Sequence, residues 1–431
     1  MHMEPSKKLS LEPYKGTRDF YPEDQFIQNY IFSVWRKVAE SYGYVEYNSS
    51  ILEETDLYRA KSGEEIVNEQ TYNFRDRGDR DVTIRPEMTP TVARMVARKR
   101  KELSFPLRWF SIPNLWRYER PQRGRLREHW QLNVDMFGVD SLAADVELIS
   151  VGYDVMKAFG APNDSFQIRV NSRKFLNFFA DSYLGISPEQ KHKIFKLIDK
   201  MHKMPAKEFE QAGAEILGDA FGKLEQVISM RDALSLPADL QDTDGVADIL
   251  NVISSLRRKG ITNAVFDPSL MRGFDYYTGV VFELYDANPA NPRALSGGGR
   301  YDDLVGIFGV EKVPGAGFGM GDVTVADFLE THQLLPEYKA TAKLYVCHTD
   351  GYIEQANQLA TDLRKQGVNV ASDLTDRKVA AQVKTADKQK IPFVVVVGEE
   401  ETKSGTYQVK SLSDGTEHRA AIAQIADIIK D

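Results

Sequence analysis

Residues 105–138, FPLRWFSIPNLWRYERPQRGRLREHWQLNVDMFG, hold Arg117, Arg120, Arg123, Arg125 and Arg127 between two strand-like runs. From Arg94 to Glu128 there are eleven Lys/Arg and three Glu, a local charge of +8 in a chain whose net charge is −8. A solvated charged hairpin would carry the same composition. Two details favour an anion instead. The arginines flank polar residues rather than forming one continuous run, and guanidinium forks suit bidentate phosphate binding. The second run, Glu128 to Phe137, alternates like a strand: Trp130, Leu132, Val134 and Met136 lie on one face, His129, Gln131, Asn133 and Asp135 on the other. The combination predicts a triphosphate or polynucleotide held over a small polar pocket.

Three further stretches could contribute to such a pocket. DVTIRPEMTPTVARMVAR (81–98) predicts a strand, a turn at Arg85-Pro86 and a helix from Thr89-Pro90, with Thr89 as N-cap and proline in the first turn. On that reading alone Glu87 is incidental. MRGFDYYTGVVFELY (271–285) alternates like a strand from Tyr276 onward, and its Tyr276-Tyr277 pair by itself reads as core packing. SGGGRYDDL (296–304) predicts a glycine-rich strand, where a ligand can approach the backbone closely.

The elements that must position these residues follow from periodicity. Phe26, Ile27, Tyr30, Ile31, Val34 and Val38 predict a helix over 24–42, ended by Gly43 and followed by a strand Tyr44–Leu52. The hairpin's first strand is expected from Arg108 to Arg117, and a helix Ala143–Phe159 and a strand Ser165–Val170 come after it. Residues 171–263 shift to Lys, Glu, Asp and Leu with amphipathic helices, and strands resume at Ala264–Phe266, so this segment reads as an insertion into a sheet. Residues 331–341 read as a linker. Beyond it KLYVCHT, VNVASDL and PFVVVVG alternate with helices, predicting a small α/β domain with a mostly parallel sheet.

At 431 residues the chain is long enough for two or three domains, and 42% hydrophobic with 27% charged residues is ordinary for a globular protein. A single cysteine, Cys347, excludes a disulfide framework and a cysteine zinc site, and fits a reducing cytosol. The opening MHMEPSKKLSLEP has no apolar core of signal-peptide length, and no run of residues reaches a membrane span. A soluble, cytoplasmic protein is the expectation.

RYERPQRGRLREHWQLNVDMFG resembles motif 2 of a class II aminoacyl-tRNA synthetase, specifically that of the histidyl-tRNA synthetases. MRGFDYYTGVVFEL and SGGGRYDDLVGIFG are similar to that family's histidine-specific signatures, KGTRDFYPED (15–24) to its N-terminal signature, and VPGAGFGMGDVTVADFLE (313–330) to motif 3. The resemblance implies an α+β fold: an antiparallel-sheet catalytic domain (1–170 and 264–330), a helical insertion (171–263) that embraces the tRNA acceptor arm, the linker, and a C-terminal anticodon-binding domain (342–431). It implies that helix 24–42 and the strand after it form a homodimer interface, where the family's proline is replaced by Ser50.

It also implies roles. Glu87 and Thr89 would hold the α-ammonium of histidine, carboxylate beside hydroxyl being suitable chemistry. Tyr277 and Asp135 would hydrogen-bond the imidazole from two sides, with Gln131, Tyr276 and Tyr301 completing the pocket. Arg272 and Arg117 would be the catalytic cations, contacting both histidine and the α-phosphate. Glu119, Arg125 and His129 would bind ATP with them. Arg120, Gln122 and Arg123 would read the acceptor end of tRNA(His). Mg²⁺ would be held mainly through ATP, without a protein metal site.

Two positions depart from the pattern. Val323 and Thr324 stand where motif 3 normally has an acid and a phosphate-clamping arginine, and His129 stands where a phenylalanine normally stacks on adenine. The reading is an ATP-dependent histidine–tRNA ligase with altered ATP contacts. The alternatives are a non-catalytic, histidine-sensing regulatory subunit of histidine biosynthesis, and a tRNA-sensing module.

Overall fold

The computed structural model describes residues 9–59, 70–201, 204–271 and 276–429, and divides into two units at Pro336/Glu337. In the first unit one large sheet runs in the order β1 (Val45–Glu46), β5 (Leu107–Ser111), β7 (Glu128–Phe137), β12 (Gly315–Gly321), β11 (Ala294–Arg300), β10 (Val280–Asp286), β8 (Phe166–Ser172), β9 (Ala264–Phe266). The pairings between β5 and β8 are antiparallel, and only the two edge strands pair in parallel. A short β6 (Asn114–Trp116) also pairs with β7, and a three-stranded sheet of β2 (Leu52–Glu54), β4 (Asp81–Ile84) and β3 (Tyr72–Arg75) stands apart.

The register gives the sheet two distinct faces. Val134 lies opposite Phe318, which lies opposite Gly298, while Phe282 lies opposite Val170. Together with Leu132, Met320 and Leu284 this face packs on the helices Pro22–Ser41 and Ala143–Ala158, with Trp35, Leu148 and Met156 fully buried. The other face carries Gln131, Asn133, Gly319, Gly317, Gly297, Gly299 and Glu283. Side chains alternate across a strand, so one pattern supplies both a core and a bare polar floor.

Several predicted strands are shorter than their patterns suggested. The strand expected over 108–117 is interrupted at Ile112-Pro113, giving β5 and β6, because proline cannot donate to the ladder. The strand expected over 44–52 breaks into β1 and β2. Asn48 and Ser50 side chains accept from the backbone N–H of Ser49 (2.8 Å) and Leu52 (3.2 Å), and Arg85 takes the Ser49 and Ser50 carbonyls (2.8 and 3.2 Å). Local side-chain bonds thereby replace sheet bonds. Likewise β10 starts at Val280, leaving Tyr276 and Tyr277 outside the strand.

Between β8 and β9 the chain is helical, with Pro188–Lys200, Ala206–Leu217 and Asp244–Arg258 as its longest helices. Ser187 and Gln190 form a reciprocal capping box at the start of the first. Ile194, Ile198, Phe209, Leu224 and Ile249 bury their side chains in a core continuous with that behind the sheet. Of the insertion's lysines, Lys191 pairs with Asp181 at 2.9 Å and Lys193 with Glu189 at 2.7 Å.

The second unit has a five-stranded sheet ordered β14 (Val370–Ser372), β13 (Leu344–His348), β15 (Phe393–Val397), β16 (Thr406–Ser411), β17 (Glu417–Ala421). It is parallel only across its first three strands, and β15–β16–β17 are antiparallel, so the expected mostly parallel sheet is mixed. The hairpin at Asp414-Gly415, where Gly415 has φ +76°, makes the β16–β17 pair antiparallel. Cys347 is a buried free thiol on β13, its pKa pushed up to about 12 by burial.

Candidate active site

The bare face of the sheet floors a cleft of about 380 Å³. Its width depends on the glycines of β12. A Cβ on Gly319 would lie 2.6 Å from the Gln131 carboxamide carbon, and one on Gly317 would lie 2.7 Å from the Asp135 carboxylate. With no side chains there, Gln131 and Asn133 from β7 and Glu283 from β10 line a floor on which a ligand can rest against backbone.

One end of the cleft is a cluster of tyrosines. Tyr276 donates to the Glu87 carboxylate at 3.0 Å, and its ring stands 4.8 Å from that of Tyr277 and 5.8 Å from that of Tyr301. All three tyrosines, Glu87 and Thr89 line the cleft. Thr89 does not cap its helix. The cap position of Thr89–Lys99 is Met88, with no side-chain cap hydrogen bond, and Pro90 occupies the first turn, whose missing N–H needs no cap. Glu87 is thus 3% exposed on the cleft wall rather than incidental to a helix start.

Asp135 does not reach the wall. It sits 3% exposed on the buried half of β7, and the Tyr301 hydroxyl, which does line the cleft, donates a short hydrogen bond to its Oδ1. Its other oxygen has no hydrogen-bond partner among the described residues. Burial raises its pKa to about 7, against the lowering effect of Tyr301 and then of Tyr47. Asp135 therefore meets the cleft lining through the Tyr301 hydroxyl, its position opposite Gly317 lying beneath that side chain.

The other end is cationic. Arg117 lines the cleft and donates from Nε to the Pro86 carbonyl at 2.9 Å. Arg125 pairs with Glu119 at 2.5 Å, and Glu119 keeps its Oε1 buried without a hydrogen-bond partner among the described residues. His129 stands beside them on β7. Burial first, then the positive charges of Arg117, Arg18 and Arg125, lower its pKa to about 3, so its imidazole is neutral. Thr324 occupies the corresponding corner of the opposite wall and donates to the backbone carbonyls of Leu295 and Gly321.

The loop of the hairpin does not act as one basic surface. Arg127 is buried, donating to the Glu119 carbonyl and the Tyr14 hydroxyl while stacking 4.0 Å from the Tyr118 ring. Its backbone N–H donates to Gly16 of the N-terminal segment, which places KGTRDF against the loop. Arg18 of that segment pairs with buried Asp322 at 2.7 Å. Arg123 turns away from the floor to Asn291 and Thr331. Arg120 and Gln122 are exposed at the loop and do not line the cleft.

Thus Glu87, Thr89, Arg117, Glu119, Arg125, His129, Gln131, Tyr276, Tyr277 and Tyr301 converge on one cleft, while Arg120, Gln122, Arg123 and Asp135 stand outside its lining. Arg272 lies outside the described residues. Sequence reasoning missed Asn133, Asp199, Glu283 and Arg293, which also line it. Strand alternation already pointed Asn133 to this face. Arg293 sits in a loop, NPANPR, with no motif to mark it.

The family model described as "Histidyl-tRNA synthetase" matches residues 16–323, and that described as "Anticodon binding domain" matches residues 342–431. A histidine–tRNA ligase of Leptospira biflexa is 43% identical over 432 residues, covering 99% of this chain and 98% of its own. One of Thermoplasma volcanium is 35% identical over 98% of this chain and 99% of its own. Among solved structures, a histidyl-tRNA synthetase from Nostoc sp. PCC 7120 superposes with a TM-score of 0.82 at 24% identity, covering 98% of this chain and 99% of that one.

Proposed function

This chain belongs to the histidyl-tRNA synthetase family, and from that premise we propose a division of labour among its cleft residues. The reaction is ligation of histidine to tRNA. The regulatory and tRNA-sensing alternatives are not favoured, because relatives carrying the ligase name match along almost their whole length.

The observation that carries the assignment is the polarity of the cleft: an acidic, tyrosine-lined end faces a cationic one across a glycine floor. Glu87, oriented by Tyr276, holds the α-ammonium of histidine, with Thr89 beside it. Tyr277 and the Tyr301–Asp135 pair define the imidazole pocket, and Gln131 binds from the floor. Arg117 and Arg125, with Arg272 as the sequence indicates, neutralise the phosphate chain of ATP. Neutral His129 stacks on the adenine without adding charge. The histidine carboxylate displaces pyrophosphate from the α-phosphorus, and the terminal ribose hydroxyl of tRNA(His) then displaces AMP from the acyl carbon. Positioning and fixed charge supply the rate enhancement.

Mg²⁺ fits this site on the strength of Glu119, which lines the cleft and whose buried Oε1 has no hydrogen-bond partner among the described residues. When bound, the ion would screen phosphate charge. Arg120 and Gln122, exposed on the loop, are the candidates for contact with the acceptor end, with Arg123 fixing the loop's base.

The domain limits proposed are 1–170 with 264–330 for catalysis, 171–263 for the insertion and 342–431 for the anticodon. A homodimer through the first helix and β1 is supported by exposed Val45, Ile51 and Leu52, 63%, 41% and 41% accessible. A cytoplasmic location is supported by the lone buried cysteine and by the lack, among the described residues, of a helix long and apolar enough to cross a membrane.

Histidine-dependent exchange of pyrophosphate into ATP tests the assignment. Glu87→Gln is expected to raise the KM for histidine about 10–100-fold, the worth of one charge-assisted hydrogen bond, with the KM for ATP little changed. Equal effects on both substrates would refute the placement of histidine at the Glu87 end.

A further inference from the structure

We propose that Arg293, from the β10–β11 connection, is a direct phosphate ligand of ATP and supplies the positive charge absent at position 324. This rests on the reading of the cleft as an adenylating site. Arg293 lines the cleft together with Thr324, Gly124 and Arg125. Its closeness to Thr324 is fixed by Gly124: a Cβ there would lie 2.9 Å from Arg293 Cδ and 3.4 Å from Thr324 Cγ2. Gly124 has φ +70°, so the loop's turn itself demands a residue without a side chain, and the two walls close over it.

The guanidinium is in an unusual state for a structural arginine. It is half-buried, yet makes no hydrogen bond or ion pair among the described residues. Arg125 lies near enough to repel it, and Glu119, whose charge also reaches it, already pairs with Arg125. Burial and then the Arg125 charge lower its pKa, with Glu119 opposing. Two guanidinium groups close enough to repel, one of them partly desolvated and unpaired among the described residues, form a site that an anion would complete. The neighbouring side chain supports the assignment. Thr324 spends its hydroxyl on backbone carbonyls, and its small volume leaves this corner to Arg293. Arg123, by contrast, is anchored to Asn291 two residues before Arg293, which holds the root of the loop against the hairpin.

The test measures pyrophosphate exchange and equilibrium binding of ATP and adenosine on the full chain, comparing the parent with Arg293→Ala, Arg293→Gln and Arg293→Lys. The Ala and Gln variants are expected to weaken ATP binding and lower exchange by about 10²-fold, as removal of one oriented donor to developing charge does. Adenosine binding and the KM for histidine should change less than about twofold, since neither ligand carries a phosphate. Lysine keeps the charge without the fork and should restore part of the loss. Parental ATP affinity and exchange in both Ala and Gln variants, with the parent active, would overturn the role of Arg293 while leaving the reading of the cleft intact. Equal weakening of adenosine and ATP would also overturn it, by showing damage to the cleft as a whole. An inactive parent would remove the adenylation reading, and the proposal with it.

Discussion

Replacing Tyr301 with phenylalanine should destabilise the protein by an amount that grows with pH, and the structure fixes both the sign and the range. The substitution removes one hydroxyl and keeps a ring packed between Tyr276 and Phe137. What it removes is the donor to Asp135 Oδ1, on a carboxyl whose other oxygen has no hydrogen-bond partner among the described residues. A hydrogen bond to a charged group contributes ~1.5–3 kcal/mol and one to a neutral group ~0.5–1.5 kcal/mol. The difference, ~1–1.5 kcal/mol, moves the titration of Asp135 upward by about one pH unit. Burial already raises its pKa to about 7, well above the ~4 of an unfolded aspartate. Between those values the native state holds a proton that the unfolded state has released, so stability falls as pH rises and levels off above the folded pKa. In the parent the fall ends near pH 7; in the variant it continues to about pH 8. The urea midpoint of the variant, measured against the parent from pH 5.5 to 9, should lie below it at low pH and diverge further between pH 7 and 8.5. A constant offset across that range would show that Asp135 does not titrate against this hydroxyl. Exchange assays on the same samples should show the KM for histidine rising most where the offset grows, if Tyr301 carries the influence of Asp135 into the cleft.

Two other substitutions probe the floor and the cationic end. Gly319→Ala should cost ~1–3 kcal/mol through overpacking against Gln131 and should lower kcat/KM for histidine and ATP together, read by thermal melting and exchange. His129→Phe removes a ring that is neutral at every pH above about 4, its pKa being lowered to about 3 by burial and nearby arginines. The variant should keep the parental pH–rate profile between pH 6 and 9 and bind ATP at least as tightly, phenylalanine stacking without the cost of a buried, desolvated imidazole. A lost limb in that profile would assign a titrating role to His129.

Local patterns in the sequence determined most of the frame. Alternation over Glu128–Phe137 marked a strand with those same ends and a polar face, helical spacing marked the helices Pro22–Ser41 and Ala143–Ala158, and SGGGR marked a glycine-rich strand. These features are legible because period two and period 3.6 are written in neighbouring residues. Motif resemblance added the family and the residue types of the pocket. The tertiary structure alone decided which of them share a space. It withdrew Asp135 behind Tyr301, moved Thr89 from a cap to a wall, and turned Arg123 toward Asn291. It ended the sheet early at Ser49 and Ser50, where the Arg85 guanidinium takes their carbonyls. It brought Arg293 from an unmarked loop beside Arg125 and Thr324. Such convergences depend on strand order and on which side chain lies uppermost at a crossing. Residues far apart in the chain carry no periodic trace of meeting, so the place of Arg293 beside the hairpin arginines became visible only once the sheet was assembled.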